Sequence, residues 1–381
     1  MGARFWGSQC RRCVVPGLVV VALAGWMLTA GPHGAEPESR PEPQVLLEKV
    51  DKIYSDGKWN GRLGMVLWKG RFYIFFRSAV AHDQDGAIRM IRSTSNIPRH
   101  WSTSPYSPEN YQATIKAGRP VDPIGPGPEA SLVIDSPADE SEMHVLGTPE
   151  RLFGYVVLLV AGSDEVIGTQ VIHTDNGTDW SKPRQVYEPG WSFWKPRSYK
   201  DTHFVVADVM TGKRRIELLS STDGVAWKKV STIAEGPFTE TDLVFLKDGT
   251  LLAVARQGRV FRSKPPYTEW TSRRCPTLDG PAVALVGDTV LASGRVAAGN
   301  FPDAQQGERR NGLFSIDPKT LKFQWKMNMV TQWGGDVSYP HILSLDRHRA
   351  LIAWYDGQRY QKGVPKQADI FLAILRLVPG T

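Results

Sequence analysis

Glu240 and Arg256 bracket a segment whose pattern brings them together. Leu243 to Leu246 is an apolar run, Lys247, Asp248 and Gly249 are a turn signal, and Thr250 to Ala255 is a second apolar run. The whole reads as a β-hairpin. A hairpin returns the chain to the end where it started, so a carboxylate and a guanidinium stand side by side at the rim away from the turn. Such a pair is either part of a site or a surface ion pair.

Comparable residues recur at the ends of other short apolar runs. Arg62 and Arg77 flank the first two, and Arg77 leads into a loop, Ala81 to Gly86, that carries Asp83 and Asp85. Arg197 follows Trp194. Arg295 ends one run and Arg310 opens the next. Near the C-terminus Asp336 and Tyr339 open a run, and Tyr355 and Asp356 close its partner. A solvated surface scatters Lys and Glu with few Tyr. Arg, Glu, Asp and Tyr gathered from several hairpins point instead to a pocket, and one rich in Arg prefers a carboxylate-bearing ligand, because guanidinium and carboxylate pair through two parallel hydrogen bonds.

The elements that position these residues are short strands in sets. From Gly61 onward the sets close on Trp101, Trp180, Trp227, Trp270 and Trp325, with a last set after His341. The period is about forty to fifty residues, the signature of a β-propeller whose four-stranded sheets bury their faces against neighbours. Six units are counted, so the expected fold is all-β, a six-bladed propeller. The long interval before Trp180 leaves room for an insertion around Pro105 to Pro149. With 36 Gly and 27 Pro the chain is rich in turns, and no long amphipathic helices separate the strands. In a blade of this kind the starts of the first strands and the ends of the second lie together on one face around the axis, where the residues named above fall.

The remaining sequence sets bounds. Residues 1–35 carry Arg4, Arg11 and Arg12 ahead of an apolar run from Cys13 to Ala30, the layout of a signal peptide or N-terminal membrane anchor. A Pro/Glu-rich linker is expected over 36–50 and a single propeller domain over 51–381, outside the cytoplasm. Cys275 is the one cysteine beyond the leader, so no internal disulfide and no His/Cys zinc site is expected. The formal charge of +7 falls to about +4 without the three leader arginines. That excess does not call for nucleic acid, and neither a metal nor an organic cofactor is required.

Two turns resemble the Asp-box of the bacterial neuraminidase repeat, S-x-D-x-G-x-x-W. His173, Asp175, Gly177 and Trp180 form one, with His at the Ser position; Ser221, Asp223, Gly224 and Trp227 form the other, one residue short between Asp and Gly. From about Gly61 onward the chain is similar to the sialidase superfamily, most specifically at Glu240 to Arg256. That resemblance implies an exo-α-sialidase-like hydrolase acting on terminal acidic sugars with retention. Tyr339 would be the nucleophile and Glu240 the base that takes its proton, with Asp85 or Asp83 as acid/base.

It also implies three arginines on the substrate carboxylate: Arg256, Arg310 and one of Arg62 or Arg77. Where the family commonly shows Arg-Ile-Pro, this chain has Arg62, Leu63 and Gly64, and Arg77 is preferred because it runs straight into the Asp83 loop. Arg197, Arg295, Asp336 and Asp356 are further pocket candidates. Two readings stay open beside this one: a hydrolase or lyase for another acidic sugar such as a uronate, and a secreted carbohydrate-binding propeller without turnover.

Overall fold

The computed structural model describes residues 43–93, 129–297 and 309–380. Among them there is no helix, and the strands form a β-propeller. Four sheets are antiparallel meanders of four consecutive strands. The first comprises β6 (Asp139–Gly147), β7 (Leu152–Leu159), β8 (Val166–Thr174) and β9 (Arg184–Gln185). The second holds β10 (Trp191–Tyr199), β11 (Thr202–Val209), β12 (Arg215–Ser221) and β13 (Lys228–Glu235). The third is built from β14 (Asp242–Phe245), β15 (Leu251–Ala255), β16 (Arg259–Ser263) and β17 (Thr271–Arg274). The fourth contains β18 (Asp279–Val286), β19 (Thr289–Ala297), β20 (Arg309–Ile316) and β21 (Phe323–Asn328).

A fifth sheet has eight strands. On one side run β2 (Trp59–Trp68), β3 (Arg71–Ala79), β4 (Gly86–Arg92) and β5 (Ser131–Ile134); on the other run β22 (Asp336–Ser344), β23 (Arg349–Gly357) and β24 (Ala368–Val378), with β1 (Gln44–Tyr54) on the outer edge of β24. The two sides meet through one parallel pair, Trp59 and Ala368. The first strands β2, β6, β10, β14, β18 and β22 each touch the next, and β22 touches β2, so they close a ring.

Apolar clusters fill the spaces between neighbouring sheets. Leu219, Phe193, Val205 and Tyr155 pack between β6–β9 and β10–β13, and Val254, Val260, Val283 and Ala292 between β14–β17 and β18–β21. The second strands, covered on both faces, read as continuous apolar runs, as in β15 from Leu251 to Ala255, all buried. Outer strands face water, and β9 and β17 are exposed along their whole length.

Three expectations change. Residues 44–50 belong to β1, paired with β24, and not to a linker; Val45 and Val50 are buried there. Within the expected insertion, residues 139–147 form the inner strand β6 and 131–134 the outer strand β5; Trp101 and the leader lie outside the described residues. The first Trp turn is hydrogen-bonded one residue later than the motif alignment places it. Thr174 Oγ1 accepts the Gly177 amide at 2.9 Å, and Asn176 Oδ1 accepts the Thr178 and Asp179 amides at 2.9 Å each. Ser221, Asp223 and Gly224 make the same set, so the two turns share one spacing, and Asp175 instead accepts from Arg151.

Candidate active site

The inner strands break their ladders at one recurring place. Register shifts fall between Gly61 and Gly64, Glu140 and Glu142, Trp194 and Arg197, Asp279 and Ala282, and Ser338 and His341. Four of these bulges hold a residue in the left-handed region, Arg62 at φ 53°, Lys195 at 32°, Gly280 at 62° and Tyr339 at 50°; Glu240, just ahead of β14, is at 44°. Non-glycine residues held there cost on the order of 1–3 kcal/mol each and persist only where their surroundings fix them. Here the fixing contacts run from sheet to sheet.

Tyr339 donates its hydroxyl to Glu240 Oε1 at 2.7 Å. Arg256 donates to the same oxygen at 2.8 Å, and the Gly280 amide to Glu240 Oε2 at 2.9 Å. Lys195, buried, donates to the carbonyls of Pro281 at 2.6 Å and Pro340 at 2.8 Å, the residues that follow Gly280 and Tyr339. A Cβ on Gly280 would lie 2.7 Å from Ser338 Oγ and 3.0 Å from the Tyr339 ring and amide, so only glycine leaves the tyrosine where it is. Burial pushes the Tyr339 hydroxyl well above its usual range, and the charges of Glu240 and Glu142 push the same way, opposed by Arg62 and Arg256. The phenol therefore needs a base to become a nucleophile, and Glu240 is in place to be one.

Three guanidinium groups surround this pair. Arg62 donates to Ser141 and lies 3.3 Å from His82 Nε2. Arg256 reaches Asp279 Oδ1 at 3.0 Å, and Arg295 holds Asp279 Oδ2 at 3.0 and 2.8 Å and lies 3.6 Å from Asp336 Oδ1. Opposite charges hold Arg256 and Arg295 protonated against their burial. Asp336, 2% exposed, also accepts from Trp59 Nε1 at 2.9 Å and from the Tyr355 hydroxyl at 3.1 Å.

Other expected residues lie elsewhere. Arg77 is 1% exposed and spends its donors on the carbonyls of Glu140, His82 and Gln84 and on Asp139, so it braces the loop and does not face a ligand. Arg310 lies opposite Val296, on the other face of its strand from Asn311, which pairs with Arg295; strand alternation brings Arg295 to the cluster instead. Arg197 pairs with buried Asp242 at 3.0 Å. Asp356 accepts the amides of Gln332, Trp333 and Gly334 and caps that loop, while burial pushes its carboxyl up to about 7. Asp83 accepts the Gly363 amide at 3.0 Å, and Asp85 is exposed.

Sequence reasoning missed Trp59, His82, Lys195 and Asp279. Lys195-Pro196, Gly280-Pro281 and Tyr339-Pro340 were a usable signal: the same dipeptide form recurs at the start of three units. A groove of about 1020 Å³ lies at the other end of the β14–β15 hairpin, lined by Lys247, Asp248, Arg262 and Trp270; its Lys247 and Asp288 form an exposed ion pair, and the convergent groups are at the Glu240 end.

The chain has the propeller fold of sialidase-type structures. No family model matches it, and no curated protein matches its sequence. Among solved structures it is similar to a protein of unknown function from Dyadobacter fermentans, with a TM-score of 0.66 and 16% identity over 88% of this chain and 100% of that one. The phage phi92 endosialidase gives 0.63 and 10% identity over 87% of this chain and 69% of that one. Trypanosoma rangeli sialidase gives 0.58 with the inhibitor DANA bound and 0.55 as a covalent intermediate with 2,3-difluorosialic acid. Identity is 10% in both, over 83% of this chain and little more than half of that one.

Proposed function

We propose that the protein is a retaining glycoside hydrolase that removes a terminal α-linked acidic sugar of the sialic acid type, with Tyr339 as nucleophile and Glu240 as its base. The observation that carries this reading is the 2.7 Å hydrogen bond from Tyr339 to Glu240, set among Arg62, Arg256 and Arg295. A binding protein needs the arginines but not a phenol held on a carboxylate. A neutral nucleophile also avoids the repulsion that a second carboxylate would exert on an anionic substrate. The named activity and the covalent complex of the T. rangeli sialidase favour the same chemistry. In the same reading the eight-stranded sheet is two blades joined at Trp59, which makes six around the closed ring of inner strands.

The arginines orient the substrate carboxylate and bring the anomeric carbon over the Tyr339 oxygen. Glu240 takes the phenolic proton as the oxygen attacks, and returns it when water later releases the sugar. The test is release of 4-methylumbelliferone from its α-sialoside by protein lacking residues 1–35. Wild type should turn over, and Tyr339→Phe and Glu240→Gln should each lose at least 10³-fold in kcat/KM, about 4 kcal/mol. A folded wild type that releases nothing from sialosides but acts on a uronide would move the substrate to that class; binding of acidic glycans without release would make it a lectin.

A further inference from the structure

The loop between β3 and β4 was expected to bring a carboxylate to the leaving group, yet the side chain it turns toward the arginines is His82. His82 Nδ1 lies 2.7 Å from Asp336 Oδ2. Its Nε2 lies 3.3 Å from Arg62, and its ring packs at 4.7 Å on Trp59 and 5.2 Å on Tyr360. Asp336 is held ionised against its burial, its main support being His82 itself. A carboxylate on Nδ1 fixes the tautomer and leaves Nε2 as the working nitrogen. The loop backbone is fixed as well, since Arg77 holds the carbonyls on both sides of Asp83. The side chain is 26% exposed, accessible at the rim beside the guanidinium that would take the substrate carboxylate. Asp83 faces Gly363 and Tyr360 instead, and Asp85 points to solvent.

We propose that His82, oriented by Asp336, is the acid/base of the reaction in place of Asp83 or Asp85; this rests on the glycosidase reading. In the first half, the Tyr339 oxygen bonds to the anomeric carbon, the glycosidic C–O bond breaks, and the proton on Nε2 goes to the leaving oxygen. In the second half, neutral Nε2 takes a proton from water as the water oxygen bonds to the same carbon and the bond to Tyr339 breaks. Imidazole ends protonated as it began. Asp336, Arg62, Arg77 and Tyr360 are the titratable and charged groups around it, with Tyr355 and Arg295 reached through Asp336 and Asp83 through Tyr360. Without substrate, burial and the charges of Arg62 and Arg77 hold the imidazole below its ordinary range, against the pull of Asp336. A substrate carboxylate on Arg62 offsets the arginine's part of that depression and so favours the protonated imidazole.

The experiment compares two sialosides, one with an aryl leaving group that departs unaided and sialyl-lactose, whose alcohol needs a proton. His82→Gln is expected to lose about 10²–10⁴-fold on sialyl-lactose while keeping the first-turnover burst of aryl release within tenfold of wild type. Asp336→Asn, acting through His82, should move the alkaline limb of the kcat profile on sialyl-lactose, where the imidazole must keep its proton, to lower pH without abolishing the aryl burst. Equal losses on both substrates in His82→Gln, or the leaving-group split appearing in Asp83→Asn or Asp85→Asn instead, would overturn the role of His82 alone. Wild type inert on both sialosides would overturn the glycosidase reading, and the role of His82 with it.

Discussion

Asp279 is shared between Arg256 and Arg295, one carboxylate oxygen to each, and this fixes the spacing of two guanidiniums before any ligand arrives. The planar fork matters more than the charge at such a position. Arg295→Lys should therefore raise KM for a sialoside by about tenfold or more, the worth of one charge-assisted hydrogen bond, with kcat changed less. Arg310→Lys should leave KM within twofold, and an effect as large as that of Arg295→Lys would return Arg310 to the carboxylate site. At this scale the sequence was informative where a regular element carried the residue. Glu240 and Arg256 were legible together because an unbroken hairpin joins them. Arg62 was not separable from Arg77, since the bulge at Arg62 offsets the period-2 alternation that would have shown which of the two is turned inward. Arg295 and Arg310 differ only in strand register, which pattern alone does not give.

Among elements, the recurring bulge is the device that builds the site. One extra residue in the first strand releases a side chain or an amide from the ladder. Adjacent sheets bond through those groups from Arg62 to Ser141 and Gly280 to Glu240, and sheets further round the ring bond from Tyr339 to Glu240 and from Lys195 to Pro281 and Pro340. Gly280→Ala should displace Tyr339, because the new methyl meets its ring and amide at 3.0 Å. A loss of about 10–100-fold in kcat with the protein still cooperatively folded is expected. Unchanged kcat would mean that Tyr339 does not depend on this bulge.

Lys195 makes a prediction of its own. Burial pushes its ammonium down to about 7, below the unfolded value of about 10.4. Between those values the unfolded chain binds the extra proton, so this site's contribution to stability rises with pH from about 7 to 10. Urea midpoints at pH 7, 8 and 9 should show a flatter rise in Lys195→Met than in wild type, and parallel curves would contradict the assignment. The second strands were readable as apolar runs buried on both faces, whereas β9 and β17 were not, because strands open to water have no apolar pattern to read.

For the whole molecule, the strand that matters most for integrity is β1. It covers the outer edge of β24 from Gln44 against Val378 to Tyr54 against Ile370. Val45, Val50, Ile53 and Tyr54 are buried in doing so. Their burial is worth on the order of 6–12 kcal/mol, comparable with the whole stability of a domain at 5–15 kcal/mol. Protein beginning at residue 43 should therefore unfold in one cooperative transition, and protein beginning at residue 56 should be aggregated or show a melting temperature lower by more than about 10 °C. Equal melting temperatures would show that β1 is dispensable. The propeller class was legible from the tryptophan period, but this closing strand was not. Two register shifts, at Leu47/Lys49 and Lys52/Tyr54, spoil its alternation, and the Pro and Glu residues ahead of it suggest a tether.

The pairing of β1 with β24 also orders events in time. Every four-strand meander is contiguous in the chain and can form as soon as its last strand leaves the ribosome. β1 emerges before all of them, and its partner is made last, more than three hundred residues later. β1 must wait until β24 is made, and bringing such distant segments together is slow. Completion of that sheet is thus a late step, and until β24 is made the nascent chain carries β1 unpaired.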